Sequence, residues 1–246
     1  MKQLISFTIK SEFGMFKKPD INDKVFITYN IIHKPYVLGI LGAIAGYGGH
    51  AQKRTVDENQ RFADYYEKLK NIRVAIAPSD SNGGIFKKEF IIFNNTTNGQ
   101  ISNITEQTLI NPAYRIYLEL DIEKYEKLIK NLQNQEAVFI PYMGKNEFPL
   151  WWSDFRIHKK FEKIETKEKF QVKTIIKKPE NFVLKNSGYK ERTTNYFYLF
   201  ERLPIGFDEQ LKQYIYHDFL YTNAIFKSNK RLQNIYESDE GVICLF

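Results

Sequence analysis

Basic and aromatic residues cluster in the stretch that leads into an apolar, glycine-containing run near residue 40. Lysines can follow the phosphates of a nucleic acid, and aromatic rings can stack on unpaired bases, each stacked base contributing roughly 1–3 kcal/mol. This combination of residue types predicts an interface for single-stranded RNA. The candidate residues are Phe16, Lys17, Lys18, Tyr29, His33, Lys34 and Tyr36.

The same region contains residues that could support catalysis without a metal. A metal-independent ribonuclease needs a base to activate a ribose 2′-hydroxyl and an acid for the leaving oxygen. Tyr29, His50 and Lys53 have suitable side chains, although ordinary surface or hydrogen-bonding roles explain them better. The four histidines are scattered and Cys244 is the single cysteine, so we expect no metal site and no cofactor.

The glycines of the apolar run allow three interpretations: a phosphate-binding loop, a membrane segment or a closely packed helix. Neither G-x-x-x-x-G-K-[ST] nor G-x-G-x-x-G occurs here. The uninterrupted apolar stretch Val37–Ala45 is shorter than the roughly 20 residues that cross a bilayer. Gly39, Gly42 and Gly46 share one helical face, which predicts a helix laid tightly on a sheet.

Composition and charge narrow the class of protein. With 246 residues, 43% of them hydrophobic, the chain can form one large core or two small domains. The net charge is +7, and residues 156–192 alone contain 12 Lys and Arg against 5 Asp and Glu. Such a segment is typical of a polyanion-binding surface or of a solvated lysine-rich one. The absence of a signal-peptide pattern predicts a soluble, cytoplasmic protein with no membrane contact.

The elements that must position these residues follow one order over residues 2–141, namely strand, helix, strand, strand, helix, strand. The first strand has apolar residues on one face, and Asp121 is placed to cap the second helix. This order predicts an α+β fold with a ferredoxin-like domain. The assigned segments are a strand at 4–9, helices at 36–47 and 57–70, a strand at 72–78, a strand at 114–121, a helix at 122–133 and a strand at 137–141.

A β-hairpin is inserted into this order, and the second half of the chain is rich in strand patterns. Asn98-Gly99 is a strong hairpin turn between two strand-like arms, so residues of about 85–112 are predicted to form a protruding thumb. We therefore expect a ferredoxin-like domain over 1–142 and a β-rich region over 143–246. That fold class alone indicates little about function.

Several motifs resemble those of a known family. The run F-G-M-F-K-K-P at 13–19, followed by I-T-Y-N-I-I-H-K-P-Y-V-L-G-I-L-G-A-I-A-G at 27–46, resembles the signature of the Cas-five subunits of type I CRISPR effector complexes. P-Y-M-G-K-N-E-F at 141–148, L-P-I-G-F-D at 203–208 and Y-T-N at 221–223 match later elements in order. The later matches are most similar to the type I-B branch.

The resemblance implies a RAMP-type (RRM-like) protein that caps the 5′ handle of the CRISPR RNA within the Cascade complex, in antiviral defence. Its implied partners are the CRISPR RNA, the backbone subunit, the large subunit and, through the complex, target DNA. The family's handle-contacting segments correspond here to residues before the first helix and on the thumb, with Lys145 of the third motif added to the RNA-binding set. The residues carried over in this way are Phe16, Lys17, Lys18, Tyr29, Lys34, Lys87 and Lys88.

A related branch raises the enzymatic alternative again. In type I-C the corresponding subunit cuts precursor RNA with a Tyr, Lys and His set. The adjacent Lys-His pair of that branch is absent here, because His158 precedes Lys159 and lies late in the chain. We therefore expect a non-catalytic RNA-binding subunit, with a metal-independent endoribonuclease as the alternative.

Overall fold

The computed structural model describes residues 2–21, 25–50, 52, 62–97, 100–179, 196–228, 230 and 232–246. Strands in several sheets predominate over helices in this part of the chain, which confirms an α+β fold. The helices described are α1 (Lys34–Ala45), α2 (Asp64–Leu69) and α3 (Glu126–Asn134).

A four-stranded antiparallel sheet forms the centre of the molecule. Its strands are β1 (Lys2–Lys10), β4 (Arg73–Pro78), β7 (Ala113–Asp121) and β8 (Trp151–Ile157). They lie in the order β4-β7-β1-β8, so β1 and β7 are the inner strands. Ile5, Phe7 and Ile9 of β1 face the main apolar core together with the buried side of α1.

The opposite face of this sheet is buried as well, which differs from the single apolar face predicted for β1. Two short C-terminal strands, β13 (Ile235–Ser238) and β14 (Gly241–Cys244), cover it with Tyr236 and Ile243, which pack with Leu4 and Tyr117. The polar residues of β1 that the pattern placed towards solvent are therefore buried. They remain satisfied because distant side chains supply their hydrogen bonds.

Helix α1 begins and ends as its sequence dictates. His33 is the extended N-cap residue and Pro35 lies in the first turn, where its missing N–H costs nothing. Gly46 ends the helix at φ 81°, a left-handed conformation that glycine adopts without strain. The predicted close packing holds at Gly42, since an added Cβ would lie 2.4 Å from Cβ of Tyr65. The packing partner is therefore α2 rather than the sheet.

The segment 137–141, predicted as the fourth strand, forms no strand. Its main-chain N–H groups instead bond to the last turn of α1, Val138 to the carbonyl of Ile44 at 3.4 Å and Phe139 to that of Ala43 at 3.0 Å. The last carbonyls of a helix have no hydrogen-bond donor within the helix. The N–H groups of this segment serve as those donors. The fourth strand of the central sheet is β8, so that sheet extends past residue 142.

The predicted thumb consists of β5 (Lys88–Thr97) and β6 (Gln100–Ile110), which pair antiparallel along their whole length. The turn at Asn98-Gly99 lies outside the described residues. Two short strands of the loop between β1 and α1, β2 (Phe13–Gly14) and β3 (Val25–Phe26), also pair with β6. This loop and the thumb therefore form one structural unit.

The second half of the described chain is rich in strands, as expected. Two main-chain bonds between Phe246 and Val74, and one from Ile175 to the carbonyl of Ile76, anchor it to the edge strand β4 of the central sheet. Helix α3 starts later than predicted, because Asp121 accepts bonds from Glu123 and Lys124 in a preceding turn. The remaining strands are β9 (Phe161–Lys163), β10 (Ile176–Lys177), β11 (Tyr198–Phe207) and β12 (Tyr214–Thr222).

Candidate nucleic-acid interface

The aromatic residues predicted to stack on bases are mostly buried in the loop before α1. Phe16 is fully buried, with its ring centroid 5.1 Å from that of Tyr36 and 6.1 Å from that of Tyr114. Tyr29 is also buried, and burial raises its pKa further above the ordinary value. Base stacking needs an exposed ring face, so these two rings serve the core in this structure.

His33 occupies an aromatic cage beneath the start of α1. Its ring lies 5.4 Å from Tyr29, 4.6 Å from Tyr36 and 5.5 Å from Tyr214, measured between centroids. Burial lowers the pKa of His33 to about 3, and neither ring nitrogen has a hydrogen-bond partner among the described residues. A neutral, enclosed imidazole cannot act as a phosphate-binding cation, so the predicted role for His33 does not fit its surroundings.

The lysines of this loop do reach the surface. The Lys17 ammonium lies 3.4 Å from the ring centroid of Phe26, a cation–π contact that orients its side chain. Lys18 is partly exposed, with Nζ 3.8 Å from Oε1 of Glu201 and 5.1 Å from the Tyr29 centroid. Aromatic rings thus contact both lysine ammonium groups of this loop.

Glu201 links this loop to the thumb. Its carboxylate accepts main-chain bonds from Asn30 and Ile31, both at 2.9 Å. Burial raises the pKa of Glu201, while these two amides and the ammonium groups of Lys18 and Lys88 oppose that shift. Lys88 is half-buried, and burial lowers its pKa. The charge of Lys18 adds to this lowering and the charge of Glu201 opposes it, so both lysines interact with the same carboxylate.

Sequence reasoning missed Glu201. It lies in an aromatic strand 171 and 170 residues from its two amide partners, and nothing in the local pattern distinguishes it from other acidic residues. The structure therefore brings together Lys18 from the loop and Lys88 from the thumb and adds an acid from a third segment. We call this group the loop–thumb cluster: Lys18, Lys88 and Glu201.

The other predicted lysines lie elsewhere. Lys34 is directed to the C-terminal region, with Nζ 3.4 Å from the main-chain oxygen of Phe246, and burial lowers its pKa to about 8, helped by Lys177 and Arg73. Lys87 is exposed and pairs with Glu89 at 2.7 Å. Lys145 pairs with buried Glu106 at 2.7 Å, away from Lys18 and Glu201 in the contacts that the structure shows.

The candidate catalytic residues are not gathered at one point. Tyr29 packs edge-on against His33, whereas His50 packs edge-on against Tyr65 at a centroid distance of 5.9 Å. Lys53 lies outside the described residues. His50 and the half-buried Tyr36 line one groove beside α1, and Tyr29 is not part of its lining.

The basic segment 156–192 is partly neutralised where the structure describes it. Lys160 and Lys167 both approach Glu237, and Lys178 lies 3.9 Å from Asp218. Residues 180–195 lie outside the described part. Among the described residues no group of His, Cys, Asp and Glu could hold a metal ion. In the same part of the chain, no helix has the length and apolar character needed to span a bilayer.

Comparisons with known proteins identify the fold. No protein-family model matches the chain, and no curated protein matches it. A chain of the type III-B Cmr-beta complex bound to cognate target RNA and AMPPnP is similar over 91% of this chain and 86% of its own, at 10% identity and TM-score 0.50. This likeness concerns the fold alone.

Two further structures resemble the chain more weakly. A CRISPR protein from Archaeoglobus fulgidus is 12% identical over 98% of this chain and 97% of its own, with TM-score 0.46. A chain of a CRISPR RNA-guided surveillance complex is 8% identical over 90% and 91%, also with TM-score 0.46. These three similar structures are thus chains of CRISPR-associated proteins and complexes.

Proposed function

We propose that this protein is a non-catalytic subunit of a type I CRISPR effector (Cascade) complex, of the type I-B branch, that binds and caps the 5′ handle of the CRISPR RNA in antiviral defence. The observation that carries the proposal is the loop–thumb cluster. Lys18 lies 3.8 Å from the carboxylate of Glu201, and Lys88, 70 residues away in sequence, interacts electrostatically with the same carboxylate. Lys17 is the chain neighbour of Lys18. Cations from the loop and from the base of the thumb are suited to the phosphates of a single strand.

The arrangement of the central sheet supports a RAMP-type assignment. Taken in chain order, its four strands lie as second, third, first and fourth, with every neighbouring pair antiparallel. A helix follows the first strand and another precedes the fourth, as in the ferredoxin-like split βαβ arrangement. The thumb is inserted between the second and third strands, and RNA-bound CRISPR complexes are among the similar structures.

The thumb also offers a surface to neighbouring protein subunits. Phe90 is 57% exposed and Ile92 is 68% exposed, and the two alternate onto the same face of β5. Exposed apolar side chains on a projecting hairpin are typical of a protein contact. We assign this face to the backbone subunit of the complex; the large subunit and target DNA are partners through the assembled particle.

The lysine contacts can be tested by salt dependence. Each phosphate contact on a single strand adds about 0.7 to the slope of log K against log salt concentration. The double variant Lys18→Ala/Lys88→Ala should weaken binding to repeat-derived 5′-tag RNA and reduce that slope by about 1.4, measured by fluorescence anisotropy from 50 to 300 mM salt (about sixfold in salt). Lys127→Ala/Lys130→Ala on α3 removes the same charge from exposed positions and is the matched control.

The proposal fails if Lys18→Ala/Lys88→Ala weakens binding no more than the control Lys127→Ala/Lys130→Ala does. It also fails if Lys18→Ala/Lys88→Ala leaves the salt slope unchanged. It also fails if scrambled RNA binds as well as the tag, because the interaction is then only general attraction between charges. Catalysis is tested separately with labelled repeat RNA in EDTA. Specific cleavage that is abolished by His50→Ala or Tyr29→Phe would establish the endoribonuclease alternative.

A further inference from the structure

A groove of about 590 Å³ runs along the outer side of α1. Its walls come from α1, from α2, from the segment 139–144 and from β11 and β12. This size falls within the range of sites that hold small ligands. The aromatic residues of its lining include Tyr36, Tyr65, Phe139, Tyr142, Phe207 and Tyr214.

Aromatic rings dominate this lining. Seven of the lining residues are Tyr or Phe, and none of those described is Lys, Arg, Asp or Glu. A neutral aromatic lining does not compensate the charge of a phosphate. It does suit a flat, uncharged group, because aromatic faces stack on any base.

Tyrosines line the groove, among them Tyr36, Tyr65, Tyr142 and Tyr214. Burial raises the pKa of Tyr65 to about 12, with Tyr66, Tyr36 and Tyr142 adding to the shift. Burial also raises the pKa of Tyr214, and Tyr36 and Tyr65 add to that shift. Each tyrosine hydroxyl can donate or accept a hydrogen bond. They offer polar partners for the edge of a base.

The groove is continuous with the loop that carries the cations. Tyr36 lines the groove, packs at a tilt against Phe16 with the ring centroids 5.1 Å apart, and lies near the main chain of Lys17. On the other wall, Gly144 packs so closely on Met15 that an added Cβ would lie 1.9 Å from its carbonyl oxygen. A strand whose phosphates contact Lys17 and Lys18 thus has a neutral aromatic site next to it.

We propose that the groove holds an unpaired nucleobase of the RNA strand, stacked among its tyrosines with the base edge on their hydroxyls. This inference rests on the proposed function, since the loop–thumb cluster binds the phosphates of the same strand. Charge complementarity favours this occupant: the charged part of a nucleotide meets the lysines and its uncharged part meets the uncharged groove. A hydrophobic side chain of a protein partner is the alternative occupant, and the test separates the two.

Tyr142→Ala removes a groove ring at a position that is 43% exposed, and Tyr198→Ala removes a ring that is 40% exposed on β11 outside the groove lining. We expect Tyr142→Ala to weaken tag RNA binding about 5- to 150-fold, the equivalent of one lost stacking contact. The salt slope should stay unchanged, because no phosphate contact is lost. Tyr198→Ala should bind as the wild type does, and Tyr142→Phe, which keeps the ring, should retain most of the affinity.

Abasic substitutions along the tag RNA identify the base. One position should show the same loss, and Tyr142→Ala should add nothing further to it, because both changes remove a single contact. Saturation-transfer NMR with free nucleosides provides a readout that does not need the lysines. Nucleoside signals should appear with the wild type and disappear with Tyr142→Ala.

The outcomes separate the two proposals. Nucleoside binding at Tyr142 without tag RNA binding would refute the proposed function and leave the groove as a base site. A lysine-dependent salt slope with no effect of Tyr142→Ala or of any abasic position would overturn the groove inference alone. Tyr142→Ala that preserves RNA binding but prevents assembly with another subunit would assign the groove to a protein side chain and refute the inference as well.

Discussion

Replacing Arg115 by Met should destabilise the protein severely, because this residue joins three parts of the fold. Its side chain is 11% exposed and lies on β7, the inner strand of the central sheet. The guanidinium donates to Oε1 of Glu240 at 2.5 Å and to Oε2 at 3.1 Å, a bidentate ion pair. Further bonds go to Ser6 Oγ, Thr8 Oγ1 and the carbonyl of Asp154, at 2.7, 3.2 and 2.8 Å.

The expected loss follows from what remains after the substitution. Glu240 would keep Tyr117, which donates to Oε2 at 2.6 Å, and the weaker contact with Arg156 at 3.4 Å. Breaking one side of a buried ion pair costs about 3–5 kcal/mol of unfolding free energy, since a charge stays buried without its partner. For a chain of this size, each kcal/mol lowers Tm by about 2–4 °C, so Tm should fall by about 6–20 °C.

Arg156→Met is the matched control, because Arg156 pairs with the same Glu240 but is 62% exposed. Exposed pairs contribute about 0–1 kcal/mol, so this variant should lose little stability. The double variant Arg115→Met/Glu240→Leu removes both buried charges and should recover part of the loss of Arg115→Met. Urea unfolding followed by circular dichroism measures all four proteins.

Equal losses for Arg115→Met and Arg156→Met would refute this reasoning, since burial would then make no difference. If Arg115→Met/Glu240→Leu were less stable than Arg115→Met, the reasoning would be refuted too, because the cost would not come from the uncompensated carboxylate.

Two further predictions concern α1. Gly42→Ala should cost about 1–3 kcal/mol of unfolding free energy, because the new Cβ would lie 2.4 Å from Cβ of Tyr65. Gly39→Ala, whose Cβ would meet Tyr65 at 3.9 Å, should instead gain up to about 1 kcal/mol. Urea titrations that rank the two variants the other way would contradict this packing. Burial lowers the pKa of His33 from 6.5 to about 3, so below pH 6.5 the unfolded chain binds a proton at His33 that the folded chain does not. Stability should therefore fall by up to about 1.4 kcal/mol per pH unit as pH drops from 6.5 towards 3. His33→Phe should remove that part of the pH dependence, and a variant that follows the wild-type curve between pH 6.5 and 4 (about 2.5 units) would show that the buried imidazole does not control it.

Much of the fold is predictable because its signals are local. Pro35 and Gly46 bound α1, the alternating residues of β7 identify a strand, and the two arms of the thumb are visible on either side of their turn. Each of these features depends on neighbours within a few residues. The order of elements that these signals give is the order that the structure shows for the first three strands of the central sheet.

The errors arise where a distant partner decides the outcome. Ser6 and Thr8 look solvent-facing, yet Arg115 bonds to both from 109 and 107 residues away, and His158 bonds to Ser6 from 152 residues away. The apolar segment 137–141 has the composition of a strand, but its N–H groups meet the end of α1 instead of another strand. No local pattern contains that information.

The candidate site shows the same division. The sequence identifies the loop lysines, which flank buried rings, but it does not separate the partly exposed Lys17 and Lys18 from the enclosed Phe16 and His33. Burial depends on the packing of Tyr114 and Tyr214, which lie far along the chain. Glu201 is absent from the sequence prediction for the same reason.

The two main-chain bonds to Glu201 bear on how the protein can be divided for experiments. The loop before α1 belongs to the first half of the sequence, yet its amides at Asn30 and Ile31 are held by an acid on β11. A fragment consisting of residues 1–142 would lack this acid and also β8. The segment predicted to form a ferredoxin-like domain therefore depends on the second half for the shape of the loop before α1, and tests of RNA binding need both halves together.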